Sequence, residues 1–435
     1  MKSADEGGDQ RRKEAMNAEN TDYDVVVIGG GAAGIAAAVG ASRAGARVAL
    51  VEQYGFLGGA ATNGSVLTHC GFFDQTRTQV VRGVGQQMLD LLDEESMFRT
   101  HTLPETGNTV VLLDLETVKA VYDRLVSDAG VDVFLHSRLI DATTGDTGGG
   151  ERIESVEIAH RGGRVVLTAR AFVDASGDGE LIAHSGAGQL LSPVERRQAS
   201  TLVMRVGNVP EDASLSQDDM ERSVRAYQER TRTDIVRTSG IAVRMPVSRE
   251  VMLLLADQHR DALDVRALSA AEIDARRMAA EYVEAFRAGM PGWGSAFLAA
   301  TGPQIGIRES RRLRGREIVD AADVSAGRKR PDDAIARCGW PMENHVAPGV
   351  TEYGGIADKG WYHIPYGAIC SATTDNLWAA GRLTSSDERA YASLRVMGTS
   401  FATGHAAGIA AALHADSRGD LGSVRGELER QGALI

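Results

Sequence analysis

The stretch Asp24-Val25-Val26-Val27-Ile28-Gly29-Gly30-Gly31-Ala32-Ala33-Gly34 decides how the rest of the chain is read. Its continuous β-branched run has the composition of a strand buried on both faces of a parallel sheet. Glycines at the spacing Gly29-x-Gly31-x-x-Gly34 follow directly. The first permits a tight turn, the second lets backbone approach a pyrophosphate, and the third lets the next helix lie close to the sheet. An Ala-rich run to Arg43 predicts that helix, whose unsatisfied N–H groups and positive dipole end face the phosphates. A second apolar strand, Arg47-Val48-Ala49-Leu50-Val51, ends at Glu52. Glu52 stands about 20 residues beyond Gly31, where a carboxylate accepts ribose hydroxyls. Strand, glycines, helix, strand and acid in register predict dinucleotide binding here.

Beyond Glu52 the segment from Gln53 to Gly64 has almost no side-chain bulk and includes Gly58, Gly59 and Ala60, which suits backbone passing close to a cofactor. Residues 84–98 read as an amphipathic helix, 110–113 as a short strand, and Asp114 as the cap of a helix over 115–127. Residues 131–140 read as one strand and 141–150 as a Gly/Thr-rich turn. Strands over 152–159 and 164–171, joined at Arg161-Gly162-Gly163, read as a hairpin. The second of them runs into another strand-to-glycine turn, Asp174-Ala175-Ser176-Gly177-Asp178.

Residues 196–300 break this rhythm with strands over 199–206 and 241–246 and charged helices over 214–230 and 268–289. From residue 301 the earlier character returns, through Arg308-Glu309-Ser310-Arg311-Arg312, the aromatic stretch 361–366, the strand Leu377-Trp378-Ala379-Ala380 with Gly381-Arg382, and a small-residue helix over 400–414. The expected fold is α/β. A Rossmann-like nucleotide domain, a parallel sheet plus an antiparallel β-meander, spans 22–195 and 301–435. An α+β substrate domain is inserted at 196–300, and a disordered tail occupies 1–21.

A chain of 435 residues exceeds the usual single core and accommodates two joined domains. The net charge of −12 argues against a nucleic-acid or anionic-membrane surface. There is no apolar run of bilayer length and no secretory signal, so a soluble cytoplasmic protein is expected. The three cysteines, none in a Cys-x-x-Cys pair, exclude a dithiol relay and a Cys-ligated iron–sulfur cluster. No His/Cys/Glu cluster has metal-ligand spacing, and the sequence leaves a homo-oligomer open.

One nucleotide fingerprint is present, with charged helix where a second would lie. That favours tightly bound FAD over an exchangeable NAD. The four segments 29–60, 174–179, 307–312 and 377–408 resemble the FAD-dependent oxidoreductases of the glutathione-reductase-like flavoprotein class. The resemblance is greatest to a bacterial FAD-dependent oxidoreductase family related to fumarate-reductase-type flavoproteins. It implies Gly29, Gly31, Ala32, Ala33 and Gly34 at the pyrophosphate, with Glu52 and Gln53 at the adenosine ribose. Gly59 and Ala60 would lie along the phosphates, Leu139 at the adenine edge, and Gly177 with Asp178 near the adenosine half. Gly381, Arg382 and Asp387 would meet ribityl and phosphate. Arg395, Val396 and Met397 would lead into a helix pointing at the flavin pyrimidine ring, where positive charge favours the reduced state.

Contacts to substrate are less determined. His69 and His363 are the candidate bases, because imidazole titrates near neutral pH, and each also reads as a structural histidine. Tyr366 could orient a polar substrate or pack in the core. Arg308 could hold a carboxylate bidentately or pair with Glu309 or Glu317. The expected reaction is hydride transfer from a small alcohol or amine to flavin N5, with oxygen or a redox partner as acceptor. The alternatives are a reductase or monooxygenase fed by transient NAD(P)H, and a non-redox flavoprotein.

Overall fold

The structure is a computed structural model that describes residues 21–435 except 105, 147 and 149. The expected tail, apart from its last residue, lies outside the described residues. The organising strand β1 (Asp22–Ile28) leads through the glycine turn into α1 (Ala32–Arg43) and back to β2 (Val48–Val51). A helix α2 (Leu115–Asp128), capped by the Asp114 carboxylate on the Thr117 N–H, precedes β3 (Asp132–Phe134). Then β4 (Arg138–Asp146), β5 (Glu151–His160) and β6 (Gly163–Asp174) form the meander.

These strands make a seven-stranded sheet in the order β3-β2-β1-β6-β5-β4, with the strand Leu377–Ala379 also paired to β6. β1 is parallel to β2 and to β6, and Leu377–Ala379 is parallel to the end of β6. β5 is antiparallel to both neighbours. Strand ends carrying Gly29, Glu52, Asp174 and Ala380 therefore converge on one edge, where α/β sheets bind ligands. Val25, Val26 and Val27 are fully buried, as a strand covered on both faces requires.

Two expectations at the meander fail. The strand expected over 131–140 is split, because His136 takes a left-handed conformation (φ 52°) between β3 and β4. The turn expected over 141–150 is strand to Asp146, with Ala142 opposite Val156 and Thr143 opposite Ser155. The β-branched threonines outweighed the glycines that followed them.

The interposed layer is a four-stranded antiparallel sheet. β7 (Ser200–Gly207) is followed by α3 (Gln217–Thr231), β8 (Ile241–Arg244), β9 (Val251–Gln258), α4 (Val265–Gly289) and β10 (Phe297–Thr301). The order is β8-β9-β7-β10. The sequence reading omitted β9, a continuous apolar run central to this sheet. The layer has its own core, which includes Leu202, Leu253, Tyr282, Phe286 and Trp293.

Further on, β11 (Met342–Ala347) and the short helix α5 (Glu388–Leu394) precede the final long helix α6 (Met397–Ala415). The small-residue composition of α6 has a packing cause. Gly404 and Gly408 lie against the backbone of Ala33 and Ala37 in α1, so close that a Cβ at either would overlap a carbonyl oxygen. No described helix is long and apolar enough to cross a membrane, and the described residues hold no group able to ligate a metal ion.

Candidate active site

Two adjoining cavities lie between the main sheet and the interposed layer. The first follows the converging strand ends. Gly29, Gly31, Ala32 and Ala33 form one wall, Glu52 and Gln53 one end, and Gly59 and Ala60 the rim. Gly177, Asp178, Gly381, Arg382, Arg395 and Met397 also line it.

The walls are mostly backbone. Gly29 has φ 99°, and a Cβ there would sit 2.5 Å from the Ala175 carbonyl oxygen. Gly31 is different: a Cβ added to it meets protein only at Gly59 Cα, 3.6 Å away, and otherwise fills the cleft. Gly34 faces the turn instead, where a Cβ would overlap the Gly29 carbonyl oxygen, so it sets the approach of α1 and does not line the cavity. The N-terminus of α1 has no side-chain cap and no acidic residue in its first turn, leaving amides open to an anion.

Glu52 is 6% exposed and accepts from the Gly30 N–H (2.7 Å) and the Tyr54 N–H (3.0 Å). Burial raises its pKa, and those N–H groups oppose the rise. Each oxygen keeps a further lone pair for a hydroxyl. Opposite, buried Asp174 accepts from the Ser176 N–H and hydroxyl and from the Ile182 N–H, which fixes the Gly177 turn. Arg382 ties that turn to its own by donating to Asp178 (3.3 Å) and to the Ile307 carbonyl (2.5 Å). An uncapped helix end, a glycine cradle and a hydroxyl-accepting carboxylate fit a dinucleotide such as FAD.

The second cavity opens from the first and shares Ala60, Gly306, Ile307, Arg382, Arg395 and Met397 with it. Its floor is apolar, with Val203, Ile241, Leu254 and Leu103, while Arg237, Arg308, Glu343 and His345 supply charge and polarity. Val396 caps α6 without a side-chain bond and lines this cavity.

Several sequence-derived candidates lie elsewhere. Thr68 and Cys70 line the second cavity but His69 does not, because strand parity turns it to the opposite face. There it is fully buried, bonded through Nε2 to the Tyr122 hydroxyl (2.8 Å) and set between Phe72 and Phe401. Burial lowers its pKa to about 3. His363 accepts the Arg330 N–H at Nδ1 (2.7 Å) and packs on Trp361, away from both cavities. Burial, then Arg337 and Lys329, lower its pKa to about 4. Tyr366 accepts from the Trp378 indole (3.4 Å) and is likewise remote. Leu139 is 2% exposed in the core of the meander. Asp387 caps α5 through the Arg389 and Ala390 N–H groups and also accepts from the Ala321 N–H, so its carboxylate is spent on backbone.

Arg308 does line the second cavity. Glu309 pairs with Arg312 and Glu317 with Arg330, so neither carboxylate expected to neutralise Arg308 does so. The histidine in the cavity is His345, which the sequence reading passed over. On β11, Glu343 and His345 share one face, and that alternation was the available signal. His345 Nδ1 bonds to the Thr351 hydroxyl (3.0 Å), and Nε2 stands 3.7 Å from a Glu343 carboxylate oxygen. Burial, with Arg308, Arg395 and Arg237 nearby, holds its pKa well below the usual value, so the ring is neutral.

A family model described as FAD dependent oxidoreductase matches residues 24–430. The aerobic glycerol-3-phosphate dehydrogenase of Staphylococcus epidermidis is 33% identical over 115 residues, 25% of this chain and 21% of that protein. That of Staphylococcus haemolyticus is 40% identical over 73 residues, 16% of this chain and 13% of that protein. The match thus spans between an eighth and a fifth of the length of these curated relatives. Among solved structures, p-nitrophenol 4-monooxygenase of Pseudomonas putida DLL-E4 superposes with TM-score 0.49 at 10% identity, covering 93% of this chain and 84% of that one.

Proposed function

The chain belongs to the FAD dependent oxidoreductase family, and from that premise we propose that it is a dehydrogenase or oxidase acting on an alcohol or amine carbon of a small polar substrate. We place its cleft with those of the glutathione-reductase-like flavoproteins. The observation that carries the reading is the junction of the two cavities, with a neutral histidine in the second. Gly31, Glu52 and Gly59 would hold FAD, which would supply a two-electron acceptor for the hydride.

The chain's own groups do the remaining work. His345, with Nε2 unbonded among the described residues, accepts the substrate's hydroxyl or amine proton as hydride leaves the adjacent carbon. Thr351 fixes its ring, and Glu343 stands where it stabilises the imidazolium formed. Arg395 and the uncapped start of α6 present positive charge where the cavities meet. The apolar floor excludes water from the reacting carbon. Oxygen or a redox partner would be the acceptor that returns the bound cofactor to its oxidised form.

Anaerobic mixing of the yellow holoprotein with small alcohols, amines and NADPH tests this. Saturable bleaching by an alcohol or amine, with none by NADPH, is expected. Bleaching by NADPH alone would overturn it.

A further inference from the structure

Three guanidiniums line the second cavity away from the glycine turn, those of Arg237, Arg308 and Arg395. Two carboxylates balance them. Asp257 accepts from Arg237 (2.8 Å), from the Gly349 N–H (3.0 Å) and from the Thr201 hydroxyl. Glu343 accepts from the Trp340 indole (3.3 Å). Arg382, at the junction, is matched by Asp178. One positive charge is left over.

The geometry locates it. Arg308 donates through Nη1 to the Ala199 carbonyl (2.5 Å) and the Thr201 hydroxyl (2.7 Å), both neutral oxygens. Arg395 donates to the Gln198 side-chain oxygen (3.0 Å) and the Glu343 backbone carbonyl (3.1 Å), again neutral. Neither forms an ion pair with a carboxylate among the described residues. Both are surrounded by protein yet keep accessible surface at the cavity. A guanidinium has five N–H donors, so Nε and Nη2 of Arg308 and Nη1 of Arg395 remain unused. A buried cation without a counter-ion is costly, and an anion in the cavity removes the cost. Burial and the neighbouring Arg395 and Arg237 lower the Arg308 pKa only to about 10, so it stays charged at neutral pH.

We infer that Arg308 and Arg395 form an oxyanion-binding site that anchors a small organic anion, a carboxylate or a phosphate monoester, beside His345. The inference rests on reading this cavity as the substrate site and narrows that substrate to an acid. Arg308 makes the principal contact. Arg395, which also borders the nucleotide cleft, closes the site from the other side. Val203, Ile241 and Leu254 take the short apolar body of the ligand.

The test is calorimetric titration of the FAD-loaded protein with oxalate, inorganic phosphate and oxamide, the neutral isostere of oxalate. At least one anion is expected to bind with a stoichiometry of one, and oxamide not at all. The tighter of the two anions identifies carboxylate or phosphate as the recognised group. Arg308→Gln should weaken that anion ~10–100-fold, and Arg308→Lys should restore part of the loss. Arg395→Gln should also weaken it. FAD content and melting temperature serve as folding controls. Oxamide binding as tightly as oxalate, absence of anion binding to wild type, or unchanged affinity in an FAD-replete Arg308→Gln would each overturn the site. Anion binding with no donor able to bleach the flavin would leave this site standing and remove the dehydrogenase reading. Bleaching by neutral donors with no anion binding would do the reverse.

Discussion

The two cavities meet at Arg395 and Met397, yet they are built by opposite means. The nucleotide cleft is walled by backbone from three strand-to-glycine turns, and its charged side chains, Glu52 and Asp178 with Arg382 and Arg395, balance one another. The neighbouring cavity is walled by long side chains from separated segments, and its excess charge is positive. A cofactor shared by a whole family needs a backbone cradle that sequence drift leaves intact. A particular substrate needs side chains, which can be exchanged without disturbing the sheet.

That contrast can be broken most severely at the contact under the cleft. Gly408→Leu should force α6 away from Ala37. A loss of about 3 kcal/mol in denaturant unfolding, together with loss of bound FAD, is expected. A normally stable, FAD-replete variant would remove the packing explanation of the small-residue helix.

The next largest effect belongs to the other cavity. His345→Gln should leave FAD content unchanged and slow anaerobic flavin reduction by ~10²-fold or more. Because burial lowers the pKa of His345, the wild-type rate should hold steady as pH falls through about 6.5, where an ordinary histidine would lose half its base form. A rate that halves there would put the base elsewhere.

A smaller effect belongs to Glu180, just beyond the Gly177 turn that borders the cleft. Burial raises the Glu180 pKa to about 7, and Asp174 and Asp178 add to the shift against Arg138. Between its unfolded value of about 4.5 and about 7 the folded protein holds a proton that the unfolded chain has released. The resulting stability is complete at the acid end of the window and is lost as pH rises through about 7. Its size is about 2 kcal/mol after allowance for the part of the carboxyl that water screens. The stability difference between wild type and Glu180→Gln should therefore change by that amount across the window, and a constant difference would contradict the assignment.

The smallest expected effects are those of His69→Gln and His363→Gln, less than twofold on the rate of flavin reduction. Both rings are engaged with protein groups away from the cavities.

How far the sequence was legible follows from the same contrast. The strand Asp22–Ile28, its glycine turn and Glu52 could be read because their chemistry is local and their spacing fixed. His69 was misplaced for want of one residue of strand parity, since Thr68 and Cys70 face the cavity. Asp387 stands before α5 as any helix cap does, and nothing local distinguishes a cap from a ligand contact. Arg308 could be named from the sequence as a carboxylate ligand, but its neighbours Arg237, Glu343 and His345 could not be joined to it, because they meet only when separated segments pack over the cleft. The β9 run itself was overlooked among charged helices.

The most direct test of the division between the cavities is to fill one of them. Ile241 lines only the second cavity and keeps some accessible surface there. Ile241→Trp should carry a full complement of FAD and bleach normally with dithionite, yet not bleach with a donor that reduces the wild type. Undiminished reduction by that donor in the filled variant would contradict the division.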